Sequence, residues 1–462
     1  MHLRRPGRRG LLLGLMAAVA VVAFTVYPMF RHVASAAKDN YESLEAFSMV
    51  LATVRKHYVE EVDTQELIEG AMKGMISSLD PHSAYLTPDM LRELRIDTRG
   101  EFGGLGIEIT MREDVLTIVT PIDGTPAFRA GAQPGDKIIL IDGEVTREMS
   151  LQEAVDKMRG APGTEVTLSI RRKDQRNLIE LEITREIIHV QSVRSPQIFE
   201  DRFGYLRVTN FQQDTAKELS EALTQLETDS DGGLDGLILD LRYNPGGLLD
   251  QAVDVSDLFL DAGLIVSTNG RLESQRDKWL ASSNGTAKLR PMVVLVNGGS
   301  ASASEIVAGA LKDHQRALVL GTQTFGKGSV QTILSLPGDA AVRLTTARYY
   351  TPSGRSIHER GIEPDVVVEQ TLPEAEDDES AAAAGDEAAA EKEPAEPSIE
   401  ELSRDTIDVE RDPQLKRALA LLDGWAGDIE AIGGVAGFQL DEPSTLAEAA
   451  SAPRPQEATS PH

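Results

Sequence analysis

The chain has 462 residues, enough for two or more domains, and its 41% hydrophobic content suits sizeable globular cores. It contains no cysteine, which excludes disulfides, thiolate catalysis and cysteine-bound metal, and a formal net charge of −28 argues against nucleic acid as the main partner. Part of that charge is local, because the stretch from Glu374 to Glu410 holds 15 acidic residues against 2 basic ones.

At the N-terminus Arg4, Arg5, Arg8 and Arg9 precede an uncharged run from Leu11 to Phe30, and Ala34-Ser-Ala36 follows. Basic residues ahead of an apolar stretch form an export signal, and this stretch approaches the roughly 20 residues that span a bilayer. Residues 1–37 are therefore read as an uncleaved anchor in the inner membrane, with a cleaved signal peptide and secretion as the alternative. The rest of the chain is expected outside the cytoplasm, in the cell envelope or periplasm.

Residues 38–97 read as a helical region. Leu44, Phe47, Val50, Leu51 and Val54 fall at helical spacing, and a second helix runs from a cap at Thr64 through Leu67, Ala71 and Met75 to a stop at Asp80-Pro81. Nothing here carries chemistry, and packing or dimerisation is the expected role.

From residue 98 to 188 the pattern becomes short β-runs: Leu105 to Thr110, Val115 to Val119, Lys137 to Ile141, Val166 to Ile170 and Leu178 to Ile183. One helix opens on a capping box formed by Ser150 and Glu153. The stretch Phe102-Gly-Gly-Leu-Gly106-Ile-Glu-Ile resembles the carboxylate-binding loop of a PDZ domain, supported by Gly131-Ala-Gln-Pro-Gly135-Asp-Lys-Ile-Ile-Leu-Ile-Asp142-Gly. Gly103, Gly104, Leu105, Gly106 and Ile107 would then converge backbone N–H groups on a peptide's terminal carboxylate, while the next strand adds the peptide as an extra β-strand. Apolar C-terminal side chains are expected, since Leu105 and Ile107 flank the loop.

Residues 189–370 alternate strands and helices. Tyr205 to Val208 is a strand, the segment from Asp214 is a helix with Leu219, Leu223 and Leu226 on one face, and Gly236 to Arg242 is a buried strand. That strand ends in Asn244-Pro-Gly246-Gly247 before a helix around Leu249 to Leu260, a turn whose exposed amides suit an oxyanion. A plain strand-to-helix corner is the alternative.

Another buried strand leads into Asn297-Gly-Gly-Ser-Ala-Ser302-Ala-Ser-Glu305, and Phe325-Gly-Lys327-Gly-Ser-Val-Gln331 lies 25 residues beyond Ser302. A serine at a strand-turn-helix junction is lifted toward substrate, and a lysine between glycines approaches without backbone obstruction. Together they point to a serine protease with lysine as its base. Ser302 to Glu305 also matches a helix capping box, which would make Ser302 a structural cap. A phosphate-binding P-loop at Gly321 to Lys327 is excluded, because Gly328 stands where serine or threonine is required and a strand follows. Lysine acts as a base only when desolvated enough to be neutral, and Phe325 and Val330 are the apolar neighbours that fit such burial. Ser300 and Ser304 are disfavoured as nucleophiles, and His314 and His358 are expected in solvent rather than in a triad.

These motifs, with Arg348-Tyr-Tyr-Thr-Pro-Ser-Gly-Arg-Ser-Ile357 and Gly361-Ile-Glu-Pro-Asp-Val366, resemble the carboxyl-terminal processing peptidases, or tail-specific proteases, from about Ser43 to Val368 and again over Pro413 to Leu422. The resemblance implies a multidomain α/β chain: a crotonase-like protease core with an inserted β-rich PDZ domain and an N-terminal helical segment. It implies Ser302 as nucleophile, Lys327 as general base and Gln331 orienting the lysine. It also implies an oxyanion hole from the amide of Ala303 and one amide of the Asn-Pro-Gly-Gly turn, with Gly246 and Gly247 both open. Tyr243 departs from the smaller polar residue usual before that turn; it leaves the glycines intact, so an effect on substrate fit at most is expected. No cofactor and no metal are implied. Partners would be proteins or peptides with free apolar C-termini, and the resemblance admits a homo-oligomer and an adaptor protein. A non-catalytic PDZ scaffold is the rival reading.

Residues 371–410 read as an acidic linker with too few large apolar residues to fold, 411–433 as a helix opening at Asp412-Pro413 with Leu415, Leu419 and Leu422 on one side, and 434–462 as a disordered tail.

Overall fold

The computed structural model describes residues 42–112, 115–173, 175–283, 290–370 and 407–426. The chain divides into two units, Met1–Tyr85 and Leu86–His462. In the first, α1 spans 42–57 and α2 spans Thr64–Ser77. The cap of α2 is Asp63 rather than Thr64: its Oδ1 accepts the N–H groups of Gln65 at 2.6 Å and Glu66 at 3.1 Å. A carboxylate also offsets the positive end of the helix, which a hydroxyl cannot. Leu44, Phe47, Val50 and Met75 are exposed. The arginine-led segment 1–37 lies outside the described residues, and among the described residues no helix is long and apolar enough to cross a membrane. Strand β1 (Ala84–Leu86) falls at the division between the units.

The second unit opens with α3 (Pro88–Arg99), capped by Thr87 and stopped by Gly100. Strands β2 (Glu101–Gly104) and β9 (Glu186–His189) then pair antiparallel, from Glu101 with His189 to Gly104 with Glu186. The chain thus enters and leaves the module between them side by side, which makes that module an insertion. Its sheet runs β3-β4-β5-β7-β8, with β6 on β5. These are β3 (Ile107–Arg112), β4 (Val115–Pro121), β5 (Lys137–Ile141), β6 (Glu144–Val145), β7 (Glu165–Arg171) and β8 (Ile179–Thr184), joined by α4 (Pro126–Arg129) and α5 (Leu151–Met158). Alternation along β7 sends Val166, Leu168 and Ile170 into a core shared with Ile118, Ile138, Ile141, Ala154 and Met158. The capping box of α5 is formed, with Glu153 N–H on Ser150 Oγ at 3.2 Å and Ser150 N–H on Glu153 Oε2 at 2.7 Å.

The larger sheet has the order β10-β11-β12-β15-β16-β19: β10 (Val193–Phe199), β11 (Phe203–Val208), β12 (Gly236–Asp240), β15 (Met292–Val296), β16 (Leu318–Gly321) and β19 (Val366–Val367). Only the β10–β11 pair is antiparallel. A parallel sheet is buried on both faces, so its strands are continuous apolar runs whose alternate residues serve different cores. Leu237, Leu239, Met292, Val294 and Val296 face the cluster shared with α6 (Thr215–Asp229), α7 (Leu249–Asp257) and α8 (Ala303–Asp313). Ile238, Val293 and Leu295 face the other cluster, with Leu415, Ala418, Leu419, Leu422 and Trp425 of α9 (Pro413–Ala426). An antiparallel group of β14 (Lys278–Leu280), β13 (Leu264–Gly270), β18 (Ala341–Tyr350) and β17 (Ser329–Ser335) adjoins this domain, with Gln331 opposite Thr345.

Candidate active site

In a parallel sheet the loops at the carboxyl ends of the strands form the natural ligand site. Here β12, β15 and β16 are neighbours, and their carboxyl ends deliver in turn the Asn244-Pro-Gly-Gly turn, the Ser302 turn and the Lys327 loop. Residues 246, 302 and 327, far apart in sequence, are thereby brought to one edge of the sheet.

Ser302 sits half-buried at the head of α8 with φ 55° and ψ −109°, a conformation that a side-chain-bearing residue adopts at a cost of about 1–3 kcal/mol. Its N–H donates to Glu305 Oε2 at 2.7 Å, the N–H of Glu305 goes back to the Ser302 carbonyl at 3.0 Å, and the hydroxyl makes no cap hydrogen bond. The neighbouring serines are spent on structure. Ser300 Oγ donates to the Leu241 carbonyl at 2.7 Å and accepts from Asn297 N–H, and Ser304 Oγ donates to the Asn244 carbonyl at 2.9 Å.

The Asn244-Pro-Gly-Gly turn is clamped from several sides. Asn244 is fully buried, donates from Nδ2 to the Val208 carbonyl at 2.8 Å, and accepts the Gly246 N–H on Oδ1 at 2.9 Å. Gly246 has φ 100° and lies so close to the serine turn that a Cβ there would stand 2.8 Å from Ser302 Cβ and 2.9 Å from Ala303 N. A side chain is thus excluded twice, by conformation and by space. The N–H groups of Gly247 and Ala303 make no hydrogen bond with described residues, and Gly247 is exposed. Tyr243, also at positive φ, donates its N–H to Asn297 Oδ1 at 2.9 Å and its hydroxyl to Gln370 Oε1 at 2.8 Å. Tyr243, the departure noted in the sequence, is therefore held at both its main chain and its hydroxyl.

Glu305 is the residue that sequence reasoning missed, having read it only as half of a cap. Its carboxylate is completely buried and accepts four donors: the Ser302 and Lys327 N–H groups on Oε2, and the Thr324 hydroxyl and Gly326 N–H on Oε1. Burial pushes its pKa above the usual carboxylate range, and those donors pull the other way. The motif Ser-Ala-Ser-Glu carried the signal for the Ser302 contact; the contact with Gly326 and Lys327 spans more than 20 residues and has no local signature.

Lys327 is half-buried, and its loop is pressed flat against the segment from Ile357 to Gly361: a Cβ on Gly328 would stand 2.2 Å from the backbone N of His358. Burial lowers the pKa of Lys327, the Arg343 charge lowers it further, and Glu305 opposes both. Phe325 does not supply that burial, because its ring is 65% exposed; Val330 is partly buried against the main core. The Lys327 amine makes no hydrogen bond with Ser302 or Gln331 here. Gln331 donates from Nε2 to Thr345 Oγ1 at 2.9 Å and to Ser329 Oγ at 3.2 Å, leaving Oε1 buried without a partner.

Both histidines expected in solvent are part-buried. His314 contacts the Leu264 carbonyl through Nε2 at 2.7 Å and packs on Gly263, while His358 is mostly buried, with Nδ1 unpartnered. Among the described residues no group of histidine and acidic side chains could hold a metal ion.

In the inserted module Gly103 and Gly104 belong to β2 rather than to an open loop, and Gly103 accepts the Gly160 N–H on its carbonyl at 3.0 Å. The free turn is Leu105–Gly106, whose N–H groups make no hydrogen bond with described residues. Leu105 does not flank a groove: its side chain is buried in the module's core, because its carbonyl is pinned by the Ala127 N–H at 2.9 Å and the turn closes over α4. Phe102 and Gly103 instead line a cleft of about 890 Å³ with Glu93 and Asp97 of α3, Asp156 of α5, Arg159 and Arg343. The cleft joins the module to the strand whose arginine acts on Lys327.

The profile of Peptidase family S41 matches residues 202–368, that of the PDZ domain matches 117–172, and that of the activating protease CtpB N-terminal domain matches 26–90. The chain is 49% identical over 341 residues to a carboxy-terminal-processing protease of Bartonella bacilliformis, covering 73% of this chain and 77% of that one. It belongs to the carboxyl-terminal-processing proteases. A carboxyl-terminal-processing protease of Synechocystis is 41% identical over 328 residues, 69% of this chain and 75% of that one. A solved photosystem II D1 C-terminal processing protease is 32% identical, covering 70% of this chain and 92% of that one, with a TM-score of 0.41. The chain is accordingly a serine-type peptidase with a mixed α/β architecture, a PDZ domain and an N-terminal helical segment.

Proposed function

We propose that this member of the family is an endopeptidase of the cell envelope that cleaves by a Ser302–Lys327 dyad and selects substrates through their C-termini. The observation that carries the reading is the meeting of the Ser302 turn and the Lys327 loop on one buried carboxylate, Glu305, beside the Gly246–Gly247 turn. A scaffold that only bound peptides would have no use for a strained serine anchored on the same carboxylate as a lysine of lowered pKa.

In this reading Lys327 swings about its side-chain bonds to reach Ser302 Oγ, takes the hydroxyl proton as Oγ attacks the scissile carbonyl carbon, and returns it to the departing amine as the C–N bond breaks. Water then attacks the acyl-enzyme with Lys327 again accepting its proton, and release of the new carboxylate restores the hydroxyl. Gln331 Oε1, buried without a partner, would accept from the lysine and hold it in line. The Ala303 and Gly247 amides would hold the oxyanion; Gly246 is set aside because its N–H is already given to Asn244. The Leu105–Gly106 amides would receive the substrate's terminal carboxylate, as the relatives' names suggest. Residues 1–37 would tether the chain to the membrane. Ser302→Ala tests the reading: cleavage of an unfolded protein should vanish while peptide capture persists, and substantial remaining proteolysis would refute it.

A further inference from the structure

Behind the oxyanion turn lies a charged cluster that the core does not need for packing. Arg242, two residues before Asn244, is 7% exposed and forks onto Asp240 through Nε at 3.0 Å and Nη2 at 2.6 Å. Its remaining capacity goes to the C-terminal helix: Nη1 donates to Asp412 Oδ1 at 2.9 Å and to Gln414 Oε1 at 3.1 Å, and Nη2 lies 2.7 Å from Asp412 Oδ2. Gln414, fully buried, passes the link on by donating to the Val368 carbonyl at 2.8 Å, and Tyr205 donates its hydroxyl to Asp240 at 2.7 Å.

A buried ion cluster is poor value as stability, because desolvation offsets most of the attraction, so its use is best sought in geometry. That geometry is the turn it abuts. Tyr243 at φ 57° is strained, and such a conformation persists only where surrounding groups over-determine it, while Gly246 at φ 100° and Gly247 at φ 146° follow a path open to glycine. Asn244 Oδ1 holds the Gly246 N–H at the downstream end of the path, and at the upstream end Asp240 Oδ1 accepts the Arg242 N–H at 2.9 Å, so the residue that leads into the turn is held by the cluster through both its main chain and its guanidinium.

We propose that Asp412 and Gln414 are positioning residues for proteolysis: from the C-terminal helix they lock Arg242, and through it the oxyanion turn, in the conformation that receives the scissile carbonyl. The inference rests on the dyad reading above and extends it to a helix more than 100 residues beyond the nucleophile. Asp412 also caps that helix, accepting the Leu415 N–H at 3.0 Å, and asparagine caps equally well, so Asp412→Asn removes charge from Arg242 while sparing the helix.

The test uses the full chain and compares Asp412→Asn and Gln414→Leu with Leu422→Ala, a control that loosens the same helix by packing at the far end of β12, against Gly236. Measured are Tm, kcat and KM on a fluorogenic peptide with a free apolar C-terminus, and the rate of Ser302 labelling by a fluorophosphonate. The two polar variants should lose roughly ten- to hundredfold in kcat and labelling rate with KM changed by less than about twofold. Leu422→Ala should lose Tm and keep kcat. Parent-like kcat in Asp412→Asn and Gln414→Leu, or an equal loss of kcat in all three variants, would overturn the inference, as would loss of kcat in the control alone. A parent protein that labels elsewhere than Ser302 would overturn the dyad reading and this inference with it, which separates the two failures.

Discussion

Ser302 and Lys327 donate their backbone N–H groups to the same oxygen, Glu305 Oε2, at 2.7 and 2.9 Å. The proposed nucleophile and base thus share one anchor, and the separation of their backbones is set by a single buried carboxylate rather than by the packing of two independent loops.

Replacing that carboxylate should therefore harm catalysis more than folding. In Glu305→Gln the charge that assists all four hydrogen bonds is gone, and whichever way the amide turns its nitrogen meets at least one backbone N–H that it cannot accept, Gly326 on one side or Ser302 and Lys327 on the other. A fall in kcat of about 100-fold or more is predicted, with stability lower by about 2–4 kcal/mol in denaturant unfolding. Full activity in Glu305→Gln would show that the shared anchor is incidental.

Activity should rise with pH, following the neutral fraction of Lys327, because only the free amine accepts the serine proton. Burial and then the charge of Arg343 lower the lysine's pKa, so the rising limb should lie below the range of an ordinary lysine. Arg343→Gln removes a positive charge that disfavours the ammonium; the pKa rises and the limb moves to higher pH, with the plateau preserved. Lys327→Arg should be as inactive as Lys327→Ala, since the guanidinium stays charged.

Ser304→Ala provides the contrast. Its hydroxyl serves only the Asn244 carbonyl, and removal should cost about 1 kcal/mol of stability while leaving kcat within a few-fold of the parent. Inactivation on the scale of Ser302→Ala would reassign the nucleophile.

The strands of the protease domain could be read from continuous apolar runs that end in turn residues, as in β12 and β15, because those signals are local. The burial of Lys327 could not: Phe325, next but one to it, faces solvent, while the Ile357–Gly361 segment pressed against its flanking glycines and the Arg343 charge from β18 are brought near only by the fold. The same holds for the choice between Gly246 and Gly247, which turns on an Asn244 side chain whose direction no spacing reveals. The misread histidines have one cause, since a polar sequence neighbourhood says nothing of Gly263, which meets the His314 ring, or of Gly328, which is pressed on the His358 backbone.

Amidating the C-terminus of a substrate peptide should weaken its binding to the PDZ domain, because the unpartnered Leu105 and Gly106 amides would meet further donors instead of a carboxylate. Isothermal titration of paired free-acid and amidated peptides against Ser302→Ala protein measures this without cleavage. Equal affinities would mean that the groove of the protease core alone selects substrates.

The central claim, that Ser302 attacks substrate with Lys327 as its base, is tested most directly by mass spectrometry of the intact protein after fluorophosphonate treatment across a pH series. A single adduct mapped to Ser302, forming faster as pH rises and absent in both Ser302→Ala and Lys327→Arg, is the predicted result. An adduct on another residue, or undiminished labelling of Ser302 in Lys327→Arg, would contradict it.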